Sequence, residues 1–169
     1  MLMNEIVNEE QLPLSFLFDA WIANIDRVDR NLLAQSVPAT KPPKGAQKCK
    51  MWLIDNGCTG LWFPSKFDPS FRGQRIEDVD IGDGAIHEEV RRISLGAMPQ
   101  RYRQACTGVG PEKKRELFER IGGITDDFLE ETMAEIPQGY ISDKAKENTV
   151  ELLRLRRESI GEIYDALVP

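Results

Sequence analysis

Between Pro13 and Ile25 the apolar residues return every third or fourth position. At this spacing Leu14, Leu17, Phe18, Trp21 and Ile25 share one face of a helix, which Phe16 and Ile22 widen. Pro13 suits the first helical position, where its missing N–H costs nothing, and the helix is expected to end near Asn24. A helix this apolar belongs in the middle of a core. Past the polar stretch Asp26–Asn31, the runs Asn31–Ala34 and Lys50–Asp55 read as two short strands. Ser36–Cys49 between them carries Pro38, Pro42, Pro43 and Gly45 and reads as an exposed, mobile loop. Asn56-Gly57 signals a turn after the second strand, so a β-hairpin is the expected local structure.

From Asn56 to Gly84 the chain reads as irregular, and beyond it as helical. Ile86–Leu95 and Pro99–Cys106 are short candidates. Pro111–Ile121 starts with Pro and stops before Gly122-Gly123, and Thr125 caps a helix expected over Asp126–Ile136. Ser142 caps a long final helix whose inner face is Thr149, Leu152, Leu153, Ile160, Ile163, Tyr164 and Leu167. The expectation is one mainly α domain of the α+β class over residues 1–169, with a short hairpin. Strands do not alternate with helices, which argues against a doubly wound parallel sheet.

Composition narrows the function classes. The 169 residues carry 22 Lys and Arg against 28 Asp and Glu, a formal charge of −6, which argues against a dedicated nucleic-acid binder. The acidic N-terminus has no apolar run and does not read as a signal peptide. Leu12–Ile25, the most apolar stretch, is interrupted by Asp19 and Asn24 and falls short of a membrane span, so a cytoplasmic protein is expected. Cys49, Cys58 and Cys106 with the single His87 assemble no zinc set and read as reduced thiols.

The chemistry concentrates in Asp26, Asn31 and Asp55. The first two stand as D-x-x-x-x-N after the apolar helix, and Asp55 ends the second strand and opens Asp-Asn-Gly. Phosphoryl transfer uses such parts: one carboxylate takes the proton of the attacking hydroxyl, while an amide oxygen and a second carboxylate hold Mg²⁺ on the phosphates. A hairpin between Asn31 and Asp55 brings those two to one end, and Gly57 permits a sharp turn after the carboxylate.

Phe18-Asp19-Ala20-Trp21-Ile22-Ala23-Asn24-Ile25-Asp26-Arg27, then Asn31-Leu32-Leu33 and Trp52-Leu53-Ile54-Asp55-Asn56-Gly57, resembles the catalytic segment of HipA-like kinases. The Ile136-Pro137 step before an Arg-rich final helix is similar to the end of those domains. The resemblance implies the C-terminal lobe of a protein-kinase-like fold, with its catalytic segment over about 12–60 and a helical remainder over about 84–168. It implies Asp26 as catalytic base, Arg27 orienting the loop or a phosphate, Asn31 and Asp55 as Mg²⁺ ligands, ATP as phosphoryl donor and a protein Ser/Thr as acceptor. Val28 stands where relatives often have His, and Asn56 where other kinases often have Phe or His. No G-x-G-x-x-G or P-loop occurs, so the chain is expected to be the C-terminal lobe alone, with a protein partner or a second copy supplying the nucleotide-binding lobe. An apolar patch beside Asp26 and Asp55, with Trp21 and Leu53 as walls, is expected to meet that partner. The rival expectation is a non-catalytic binding module acting through a protein partner.

Other charged groups read as ordinary surface. Lys41, Lys44, Lys48 and Lys50 fall in the loop region, and Asp78, Asp80 and Asp83 lack the Gly position of a calcium loop. Arg154, Arg156 and Arg157, between Glu151 and Glu158, read as a charged helix face.

Overall fold

The computed structural model describes residues 5–22, 24, 31–37, 48–53, 104 and 107–167. The candidate helices at 86–95 and 99–106, apart from Gln104, lie outside them. Three short strands come early: β1 (Glu5–Ile6), β2 (Leu32–Ser36) and β3 (Lys48–Leu53). Among the described residues the α-helices are α1 (Leu12–Trp21), α2 (Pro111–Gly122), α3 (Asp126–Ala134), α4 (Asp143–Glu158) and α5 (Ile160–Leu167). The protein is therefore mainly α with a small sheet.

The hairpin forms as expected, and its ladder is longer. β2 and β3 pair antiparallel from Leu32↔Leu53 to Ser36↔Cys49, and the Val37 N–H donates to the Lys48 carbonyl at 3.0 Å. Ser36, Lys48 and Cys49 thus belong to strands rather than to a mobile loop, and Cys49 is buried. The β-branched Val37 and alternating Lys48-Cys49-Lys50-Met51 extend readily as strand. Residues 38–47 lie outside the described set.

β3 is the central strand, because β1 pairs with its other edge in parallel, Glu5↔Lys48 and Ile6↔Cys49. Two residues make a short strand, and Asn8 prolongs the pairing with its side chain. Its amide donates to the Met51 carbonyl and accepts from the Met51 N–H, both at 2.9 Å, as a strand residue would. A single 3₁₀ turn, Glu9–Gln11, then leads into α1, so the sheet is fastened to the start of that helix.

α1 is the centre of the core. Leu12, Phe16, Leu17, Ala20 and Trp21 pack with Leu117 and Ile121 of α2, Leu129 of α3, Leu152 and Leu153 of α4, and Ile160, Ile163 and Tyr164 of α5. The buried stripe is rotated from the expected one: Phe16 and Ala20 point inward, whereas Phe18 is exposed and Leu14 half-buried. With helices on several sides, the residues at spacing 12, 16, 17, 20 and 21 find partners. Tyr164 joins the layers, meeting Phe16 edge-on at 6.1 Å and Phe118 at 5.6 Å.

Local chemistry sets the helix ends. Pro111 opens α2, and the Thr125 hydroxyl accepts from the Phe128 N–H at 3.2 Å to cap α3. Ser142 caps α4 through the Ala145 N–H at 3.1 Å. α3 closes at Ala134, two residues before the expected Ile136, in the turn that leads into Pro137. Pro137–Tyr140 is a tight turn, with the Tyr140 N–H on the Pro137 carbonyl at 3.3 Å and Gly139 at φ 94°. A positive φ at the third turn position is what Gly supplies without steric cost. The long final helix is two helices, interrupted at Ser159 (φ −94°, ψ 12°), where Ser159 and Gly161 are poor helix formers. No described helix is long and apolar enough to cross a membrane.

Candidate functional site

The chain leaves α1 toward Asp26 through a closely accounted set of hydrogen bonds. A helix ends with four carbonyls that have no partner in the helix. In α1 these belong to Phe18, Asp19, Ala20 and Trp21. The Ile22 N–H takes the first at 2.9 Å and the Asn24 N–H the second at 2.8 Å, the six-to-one bond of a Schellman closure. Arg156, 135 and 136 positions along the chain, donates Nε to the Trp21 carbonyl at 2.6 Å and Nη2 to the Ala20 carbonyl at 2.5 Å, and the Ile22 N–H also reaches the Ala20 carbonyl. In return the Trp21 indole Nε1 donates to the Leu153 carbonyl at 2.9 Å. The negative end of the helix dipole meets a cation there.

Asp19 and Asn24, the two interruptions of the apolar run, form a buried pair. The Asn24 Nδ2 donates to Asp19 Oδ1 at 2.8 Å, so both polar groups lie inside without breaking the core.

Asn31 stands immediately before β2 and is 3% exposed. Its neighbour Leu32 faces Leu53 across the ladder, and Leu53 is two residues short of Asp55. Asp26, Arg27 and Asp55 lie outside the described residues, as does the Leu53 side chain. Trp21 is buried, with its indole N–H on the Leu153 carbonyl of α4. Among the described residues no three His, Cys, Asp or Glu side chains cluster as a metal set. The Asn31 amide does offer a hard oxygen of the kind Mg²⁺ accepts.

The outer face of the hairpin carries an apolar pair. Leu33 and Trp52 are register partners, 50% and 45% exposed. The Trp52 Nε1 donates to Gln35 Oε1 at 3.0 Å, and the Lys50 Nζ lies 4.1 Å above the Trp52 ring.

The three arginines of α4 are not one charged face. Arg156 is fully buried at the end of α1. Arg157 donates to the Ile124 carbonyl and, at 2.7 Å, to Asp126. Arg154 lies 2.9 Å from the same carboxylate. The hydrogen bond from Arg157, aided by the nearby charge of Arg154, holds the Asp126 carboxyl below its usual range against the opposing effect of desolvation. Sequence reasoning missed Arg156, though a signal exists: it falls four residues before Ile160 and three after Leu153, inside the apolar stripe of α4 and α5.

Compared with protein-family models, with curated proteins and with solved structures, the chain finds no match.

Proposed function

We propose that the chain is the C-terminal, catalytic lobe of a HipA-like kinase, moving the γ-phosphoryl group of ATP to a hydroxyl, in the first instance a protein Ser or Thr. The observation that carries this reading is the burial of Asn31 beside Leu32, which pairs with Leu53, a residue two positions before Asp55 in the sequence. A second support is the fixed exit of α1, two residues before Asp26. In this reading the Asp26 carboxylate accepts the hydroxyl proton as the acceptor oxygen bonds to the γ-phosphorus and the bond to the β-phosphate oxygen breaks. Arg27 orients the loop or a phosphate. Asn31 and Asp55 are the groups that would hold Mg²⁺, whose charge offsets that of the phosphates when bound.

The exposed Leu33–Trp52 pair favours a second component, a protein surface laid on the hairpin. It suits a nucleotide-binding lobe laid there, and equally the partner of a non-catalytic module. The direct test is binding of the Mn²⁺–ATP complex, followed by the rise in water proton relaxation when that complex is immobilised on the protein. Wild type binds, and Asp55→Asn and Asn31→Ala each weaken binding more than about tenfold. Equal binding by all three proteins ends the kinase reading. Calorimetric titration with MgATP tests the half-site: the chain alone binds weakly, because small-ligand sites bury most of the ligand and one lobe gives one wall.

A further inference from the structure

We propose that the β2–β3 hairpin of one copy docks in the α3–α4 groove of a second copy, so that the protein associates with itself head to tail. The groove between α3 and α4 holds about 320 Å³. Met133 and Ala134 of α3 and Val150 of α4 supply its apolar lining, and the carboxylates of Glu130, Glu147 and Glu151 stand around it. Its two cations are already engaged. Lys146 Nζ donates to the Ile136 carbonyl at 2.7 Å, and Arg154 lies 2.6 Å from Glu151, 2.9 Å from Asp126 and 3.8 Å from Glu130. One guanidinium thus serves three carboxylates, and residues 126–158 carry nine Asp and Glu against five Lys and Arg. An occupant suited to this groove has an apolar tip with positive charge beside it.

The hairpin of the same chain presents such a tip. Side chains alternate along a strand, which puts Leu33, Gln35, Lys50 and Trp52 on one face, while Cys49 on the other is buried. The exposed Trp52 ring is held in place, its Nε1 on Gln35 Oε1 at 3.0 Å and the Lys50 Nζ 4.1 Å above it, so it gives up little freedom on binding. β2 and β3 carry Lys48 and Lys50 and no acid. A few anchors, tryptophan prominent among them, carry most of the binding energy of an interface when they fill a well-packed pocket. Tip and groove are different patches of one chain, so the contact is heterologous and can repeat from copy to copy. It calls on neither ATP nor metal and stands apart from the phosphotransfer reading.

Sedimentation of the whole chain over a range of concentrations tests this. Wild type should gain mass as concentration rises, and less so in high salt, which screens surface charge. Two variants each spoil one side. Trp52→Ala removes the tip. Ala134→Arg fills the groove and opposes its charge, at the last residue of α3, where a cation suits the helix end. Both positions are exposed, and circular dichroism checks that both variants fold. Each variant alone should associate at least about tenfold more weakly than wild type. Mixed in equal amounts, the two should form a dimer and nothing larger, because the Ala134→Arg copy keeps its hairpin and the Trp52→Ala copy keeps its groove. Wild type that stays monomeric into the millimolar range overturns the proposal. So does association that either variant leaves unchanged, or a mixture that stays monomeric when each variant has lost association alone. Should Trp52→Ala fail to fold, Lys50→Glu takes its place, with the same result expected on mixing.

Discussion

Replacing Arg156 by methionine sets two large effects against each other. Met keeps an unbranched stem in the same space, so packing changes little. The substitution removes the side-chain donors to the Ala20 and Trp21 carbonyls, both on buried residues. Leaving a buried acceptor unsatisfied costs about 1–3 kcal/mol, so the pair costs about 2–6 kcal/mol. Against this, a buried guanidinium no longer has to be stripped of water, and replacing buried charge by apolar groups returns about 1–4 kcal/mol in favourable cases. The return is small here because Arg156 makes charge-assisted bonds at the negative end of a helix, where a cation is favoured. The net expectation is a loss of about 3 kcal/mol, or roughly 6–12 °C in Tm for a chain of this size. Urea unfolding followed by circular dichroism measures it, with an unchanged slope showing that the unfolded state is not the cause. Arg157→Met is the comparison; its guanidinium is partly exposed and serves one carbonyl and one carboxylate, so about 1 kcal/mol is expected. A change within about 0.5 kcal/mol for Arg156→Met, the scale of an ordinary surface substitution, would refute the carbonyl accounting.

Phe16→Ala should cost about 3–5 kcal/mol, because Phe16 is fully buried and supports Tyr164; a chemical denaturation curve within 1 kcal/mol of wild type would show that α1 is not the core helix. Asp126 titrates below its usual range in the fold, so its contribution is fully present above its unfolded pKa and is lost as the pH falls through the lower folded value. Asp126→Asn should therefore be less stable than wild type near neutrality, and the two should converge in acid; thermal melts across that range check it, and a gap independent of pH would count against the Arg157 pairing. Thr125→Ala should cost about 1 kcal/mol by opening the first turn of α3, read by the same melts.

Features that depend on near neighbours were legible in the sequence. The hairpin, the Thr125 and Ser142 caps and the stop of α2 at Gly122-Gly123 follow from residues within a few positions of each structure they set. Features decided at long range were not. The rotated stripe of α1 depends on helices that begin about ninety residues later, which is why Phe18 proved exposed and Phe16 central. β1 exists because the far edge of β3 needs partners. Arg156 looked like solvent-facing charge among glutamates, and it becomes intelligible once α1 lays two carbonyls against it. Of the candidate site, Asn31 is buried just before β2, while Asp26, Arg27 and Asp55 lie outside the described residues and stand as chemistry proposed from motif and order.

The indole of Trp21 and the carbonyl it bonds are 132 positions apart in the chain. At synthesis rates of about 5–20 residues per second, the ribosome adds that separation in roughly 7–26 s. Throughout that time α1 has left the tunnel ahead of the helices that cover it. Its buried face, Leu12, Phe16, Leu17 and Trp21, meets its described helical partners only as residues 111 to 164 emerge. Nascent chains of this protein should be held by a trigger-type chaperone until α4 emerges, and ribosome-bound chains stalled before residue 143 should be open to protease at Leu12–Trp21.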